Sequence, residues 1–399
     1  MTLAAPIADA RPQVIAALAA HFRDLDLAED AFSDAVEALL KLDEMPDRVN
    51  AWLYVSAKRK ALDRIRRQQT ETRALAAETP DSDMADILEF PDPIPDERLR
   101  LLFICCHPAL AVETRAALAL RIVCGVPVED IARTFLVKEA SMFQRITRAK
   151  AKIHRSGVPF ETPPRKDWPE RIEAILLALE LAYTLAYQDS AGETEHAELG
   201  EEVERLGAML AELCPENGEV LGFAALVTLA TSRVNARVDA DGVMVPLSRQ
   251  DPQKWDGTRI ERARRWLEKA SALGATGPYQ AMAAIQLTHA RRYFGSPVDW
   301  PAIATLYQAL LKMRKSRIVA INCAVALGHV EGAEVGLSYL RSLPSDGLEA
   351  YRPYYAAMAH LYAEQGDTDD ARSAFDKALA CGPAEAERRY LEQQRAALG

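Results

Sequence analysis

The segment VEDIARTFLVKEASMFQRITRAKAKIH (128–154) constrains this chain more than any other. Met142, Ile146, Ala149 and Ile153 recur at the spacing that lines one face of an α-helix with apolar groups. Ile131, Ala132 and Phe135 do the same for a shorter helix before it, and Ala132 is small where two helices must cross. Between them a turn is expected around Leu136–Ala140. Two such helices make a helix-turn-helix whose second helix can lie in the major groove of DNA. Its outward face would present Lys138, Ser141, Phe143, Gln144, Arg145, Thr147 and Arg148. Gln144 and Arg145 suit bidentate contacts to base edges, while Arg148, Lys150 and Lys152 suit phosphates. Leu136 stands where such turns usually have glycine, and Lys138 where they have a small polar residue, which predicts a less sharp turn. Two ordinary amphipathic helices with a solvated basic face would give the same pattern.

Charge is distributed unevenly. The chain of 399 residues carries a net −10, which excludes a generally basic nucleic-acid binder. Yet residues 48–67 carry seven basic groups against Asp63 alone (+6), and residues 141–155 carry five with no acid (+5). Residues 70–97 hold nine acids and one base (−8), with Pro91, Pro93 and Pro95 near their end. Two basic helices joined by an acidic, extended linker over 70–95 is the expected arrangement.

The remaining pattern is helical throughout. Helices are expected over 12–22, 27–42, 51–68, 96–106, 112–124, 128–136 and 140–155, and no strand alternation of any length occurs, so the fold class is all-α. The proline-rich GVPFETPPRKDWP (157–169) marks a domain boundary. Further on, Tyr355, Met358, Ala359, Tyr362, Gly366, Ala371, Phe375, Ala378 and Pro383 fall at the spacings of a tetratricopeptide repeat (TPR), with looser echoes at Tyr293–Ala309 and Ala326–Tyr339. A stack of helical hairpins over 170–399 follows, suited to a protein or peptide ligand. Residues 167–399 hold 24 basic and 33 acidic groups, net −9, and are not expected to bind DNA by themselves.

Several chemistries find no support. Cys105-Cys106-His107 lacks the Cys-x-x-Cys spacing of a zinc site, and the adjacent cysteines are read as small helix-packing residues. No phosphate-binding glycine loop, nucleophile elbow or zinc-protease motif occurs, so neither enzymatic activity nor a cofactor or metal is expected. The first residues lack a signal-peptide pattern and no run approaches about 20 apolar residues, so a cytoplasmic protein without a membrane span is expected.

LAEDAFSDAVEALL (27–40), NAWLYVSAKRKALDRIRRQ (50–68), DERLRLLFICCHPAL (96–110) and the helix-turn-helix resemble, in that order, blocks of extracytoplasmic-function (ECF) sigma factors of RNA polymerase. The resemblance is to the group with a long C-terminal TPR-like extension, and VPLSRQDPQKWD (245–256) and GPYQAMAAIQLTHA (277–290) extend it over nearly the whole chain. It implies sigma region 2 over 1–69, the linker over 70–95, region 4 over 96–157, and partners in promoter DNA and the polymerase β′ clamp helices and β flap. Asp30, Phe32, Asp34 and Glu37 would dock on the clamp helices. Asn50, Trp52, Tyr54, Lys58, Arg59, Arg64, Arg66 and Arg67 would engage the −10 element, by stacking on unpaired bases and holding phosphates. Trp52 also fits a core position. Lys138, Ser141, Phe143, Gln144, Arg145, Arg148, Lys150 and Lys152 would read the −35 element. The linker would thread toward the active centre as an RNA mimic, and its composition equally suits a solvated spacer. The extension would regulate the sigma part or contact polymerase. Where that group carries Asn-Glu-Gly-Tyr, this chain reads Thr184-Leu185-Ala186-Tyr187. A DNA-binding regulator with a helical sensor domain is the competing reading. It needs neither the 27–42 face nor the linker.

Overall fold

The computed structural model describes residues 4–42, 44–73, 95–155, 163–189, 197–345, 348 and 351–398. Among them the regular structure is helical, with one isolated antiparallel bridge, Val238 to Met244. The acidic linker lies almost wholly outside the described residues. The chain forms two compact units, Met1–Ala182 and Tyr183–Gly399. The division falls inside a helix, α8 (Trp168–Asp189). The reason is chemical: the first turns of α8 are bound to region 96–155. Trp168 packs on Phe103 with ring centres 5.1 Å apart, Arg171 donates to the Phe103 carbonyl at 2.8 Å, and Glu170 pairs with the buried Arg115 at 3.1 Å.

The first unit begins with three helices, α1 (Ala4–Phe22), α2 (Leu25–Leu39) and α3 (Val49–Arg73). Asp24 starts α2 by accepting from the amides of Asp26 and Leu27, satisfying donors that a helix start leaves open. Ala28, Ala31, Phe32, Ala35 and Leu39 then fall on one side of α2 and are buried, with α1 and α3 packed on that helix. Four more helices follow: α4 (Pro95–Cys105), α5 (Val112–Ile122), α6 (Val128–Thr134) and α7 (Glu139–Arg155). Leu101 through Cys106 are buried without interruption. The 27–42, 51–68 and 96–155 helices stand within a few residues of their expected bounds.

In the second unit α9 (Ala197–Leu213), α11 (Gly257–Ala272) and α12 (Pro278–Ala290) surround α10 (Gly218–Thr231), which is buried on nearly every side. Gly222 permits this, because a Cβ there would lie 2.6 Å from the Gln280 amide on α12. The stack continues through α13 (Trp300–Met313), α14 (Arg317–Glu331), α15 (Ala333–Arg341), α16 (Arg352–Gln365), α17 (Thr368–Ala380) and α18 (Glu385–Ala396). The hairpin α16–α17 turns at Gly366, whose φ of 89° is open to glycine. Ala359, Ala371, Phe375 and Ala378 are buried between its helices, while Tyr355 and Tyr362 are half-buried at the edge. Residues 237–256 lead away from α10 as a strap whose only helical elements are two short 3-10 turns, Leu247–Arg249 and Pro252–Lys254. Val243 enters the core of α16–α18 and the Met244 amide donates to the Ala386 carbonyl. Arg292 holds the strap by the carbonyls of Leu247 and Gln250, and Asp256 caps α11.

Candidate nucleic-acid interface

The geometry of α7 follows from its sequence. Met142, Ile146, Ala149 and Ile153 are buried, which fixes the rotation of the helix. Lys138, Ser141, Phe143, Gln144, Thr147 and Arg148 are exposed on the other side, and Arg145 is half-buried at the margin. The turn before α7 is sharp despite lacking glycine, contrary to the expectation from Leu136. Leu136 takes the left-handed conformation itself, with φ at 53°. Val137 donates to the Ala132 carbonyl at 3.0 Å and Leu136 to that of Arg133 at 3.2 Å, closing the end of α6. The Leu136 side chain is 93% exposed, so nothing in this unit compensates the backbone strain by packing.

Two basic residues expected on phosphates point elsewhere. Lys150 lies at the far end of α7 with its ammonium 2.7 Å from both Glu29 and Asp26 on α2. Lys152 donates to the Ala109 carbonyl. Glu29 is the centre of a network that joins the first three helices to the next four. It accepts from Arg11 on α1 at 2.5 Å, lies 3.4 Å from Arg121 on α5, and its side chain is only 14% exposed. Burial alone would raise the Glu29 pKa, but the charges and hydrogen bonds of Lys150, Arg11 and Arg121 outweigh it and hold the carboxyl below its ordinary range. Arg11 also donates to the Arg121 carbonyl. Sequence periodicity assigns Glu29 to the polar side of α2. Its partners are out of reach of a local pattern, being up to 121 positions away.

On α2 and α3 the expected residues divide. Asp30 and Glu37 are exposed and Asp34 is half-buried, on one side of α2. Phe32 is in the core, a correction to its expected place on the docking face: it falls on the apolar stripe with Ala28, Ala31 and Ala35. Tyr54 is likewise buried and not available for stacking on a base. Arg59, Arg66 and Arg67 are exposed; Asn50, Trp52 and Lys58 are half-buried. Arg64 bridges the two helices, pairing with Asp30 and, at 2.9 Å, with Asp34.

The thiols of Cys105, Cys106 and Cys124 are buried, and burial pushes their pKa values up, that of Cys124 to about 12. That is the opposite of what a reactive thiolate needs. Among the described residues no three metal-ligating side chains converge, and no helix is long and apolar enough to cross a membrane.

Comparison with known families places these helices. Residues 7–71 match Sigma-70 region 2 and residues 100–153 match Sigma-70, region 4. Residues 171–271 match a family of unknown function (DUF6596). An uncharacterized protein of Rhizobium meliloti (strain 1021) is 40% identical over 398 residues, which cover 97% of this chain and 94% of that relative.

Proposed function

We propose, from the premise that this chain belongs to the sigma-70 family and carries its regions 2 and 4, that it is an alternative sigma factor of the ECF type with a TPR-like extension. As a sigma factor it directs RNA polymerase to promoters. On our reading α2 offers Asp30, Asp34 and Glu37 to the β′ clamp helices, and α3 offers Asn50, Trp52, Lys58, Arg59, Arg66 and Arg67 to the opened −10 element. The outer face of α7 takes the −35 element, while other parts of region 4 meet the β flap. The observation that carries this reading is the exposed polar face of α7, held at a fixed rotation by four buried residues within a region 4 match. A simple helix-turn-helix regulator would need no region 2. The second unit, net negative and built of stacked hairpins, suits a protein partner or polymerase itself, in a regulatory role.

Run-off transcription with bacterial core RNA polymerase on a pool of genomic templates tests this. Start sites that appear only with the full-length protein are expected, and unchanged initiation would overturn it.

A further inference from the structure

The outward face of α7 contains an apolar strip that hydrogen-bond reading does not use. Phe143 is 61% exposed, although its neighbours on that face are polar. Thr147 lies one turn further along, on the same side of the helix. Its hydroxyl is committed: Oγ1 donates to the Phe143 carbonyl at 3.0 Å. The hydroxyl proton is thereby spent, and the methyl is the apolar group that this exposed side chain can offer a partner. Ring and methyl together make a strip one turn long, with Gln144 and Arg148 beside it.

We propose that Phe143 and Thr147 read thymine, by packing on the C5-methyl groups that thymines of the −35 duplex present in the major groove. Thymine is the one base that offers a methyl there, and aromatic rings and threonine methyls are the groups that pack on it. The ring and the methyl carry no acceptor for the amino group of a cytosine, which would lose its hydrogen bond to water where they cover it. Gln144, Arg145 and Arg148 read hydrogen-bonding edges and phosphates; the strip supplies a discrimination they cannot. This inference rests on α7 being the −35 helix.

The test uses a promoter identified by the transcription experiment and holoenzyme assembled from the full-length protein. Duplexes carry either thymine or deoxyuridine throughout the −35 region, so base pairing is kept and only methyls are removed. Losing one packed methyl should weaken binding about fourfold, from roughly 0.8 kcal/mol per buried carbon. Phe143→Ala should abolish most of this preference. Thr147→Ser, which keeps the hydroxyl and deletes the methyl, should abolish part of it. Both variants should bind core polymerase like the parent. Equal binding of thymine and uracil duplexes, with promoter-specific binding intact, overturns this inference alone. So does an undiminished preference in Phe143→Ala, or weaker capture of core polymerase by that variant without DNA. The absence of any promoter-dependent complex overturns the sigma reading and this one together.

Discussion

The two basic helices of the first unit have nearly the same excess of positive charge and use it differently. On α7 the groups in the first three turns stand free of carboxylates on α2, and only Lys150, near the end, is drawn into Glu29. On α3 the tied group is Arg64, in the middle of the basic run, paired with Asp30 and Asp34. Nearly equal charge counts thus conceal a different placement of the paired group, central on α3 and near the end on α7. What distinguishes the helices is the facing acid on α2: one row of its carboxylates meets α3, and another, one side further round, meets α7.

The largest test of this contrast is whether the buried face of α7 is what orients it. Ile146→Asp places a carboxylate in an apolar site and should destabilise the first unit by about 3 kcal/mol or more, whereas Arg148→Ala should change stability by less than about 0.5 kcal/mol. Denaturant unfolding separates the two. Next comes Glu29→Gln, which leaves three cations around a neutral amide. A loss of about 2 kcal/mol is expected. It should also change the response to acid. Because the folded pKa of Glu29 lies below its ordinary 4.5, its contribution is complete above that value and is lost as pH falls through the folded pKa. Denaturant midpoints of the parent should therefore decline more steeply than those of Glu29→Gln below about pH 4.5; parallel curves would remove Glu29 from the centre of the network. Leu136→Gly relieves a left-handed leucine and should raise stability by about 1 kcal/mol; unchanged stability would mean that the turn is unstrained. Among the ion pairs the smaller change in stability is expected from Arg64→Ala, within about 1 kcal/mol because the pair is partly exposed. In promoter binding, Arg148→Ala should lower the salt slope by about one, with core polymerase binding retained.

How much of this could be read from sequence depends on the range of the interaction. The rotation of α7 followed from Met142, Ile146, Ala149 and Ile153, because a helix repeats its own face every few residues. The hairpin around Gly366 was legible for the same reason, through Ala359, Ala371 and Ala378. Phe32 and Tyr54 were misplaced because resemblance assigns a residue to a helix without saying which side it occupies; the positions of Ala28, Ala31 and Ala35 would have shown Phe32 to be on the inner side. Glu29 could not be found this way at all. Its partners come from α1, α5 and α7, and only the folded chain brings them together. The strap was missed because an extended segment such as 237–246 has no period, so nothing in it announces that Val243 ends among Phe375, Tyr390 and Leu391.

The Glu29–Lys150 contact sets a limit on length. Sites centred ten and thirty-five pairs upstream of a start point are about 25 pairs apart, or roughly 85 Å along DNA at 3.4 Å per pair. The −10 helix α3 packs on α2, and α2 meets α7 at 2.7 Å, which holds α3 and α7 too close together to reach both ends of that span. On the proposed reading the form described here and the promoter-bound form exclude each other, and breaking the Glu29 circuit is a toll on binding. The apparent dissociation constant equals the intrinsic one divided by the fraction of molecules already open. Whatever holds Glu29 and Lys150 apart, whether polymerase or another partner, therefore acts on the promoter without touching it.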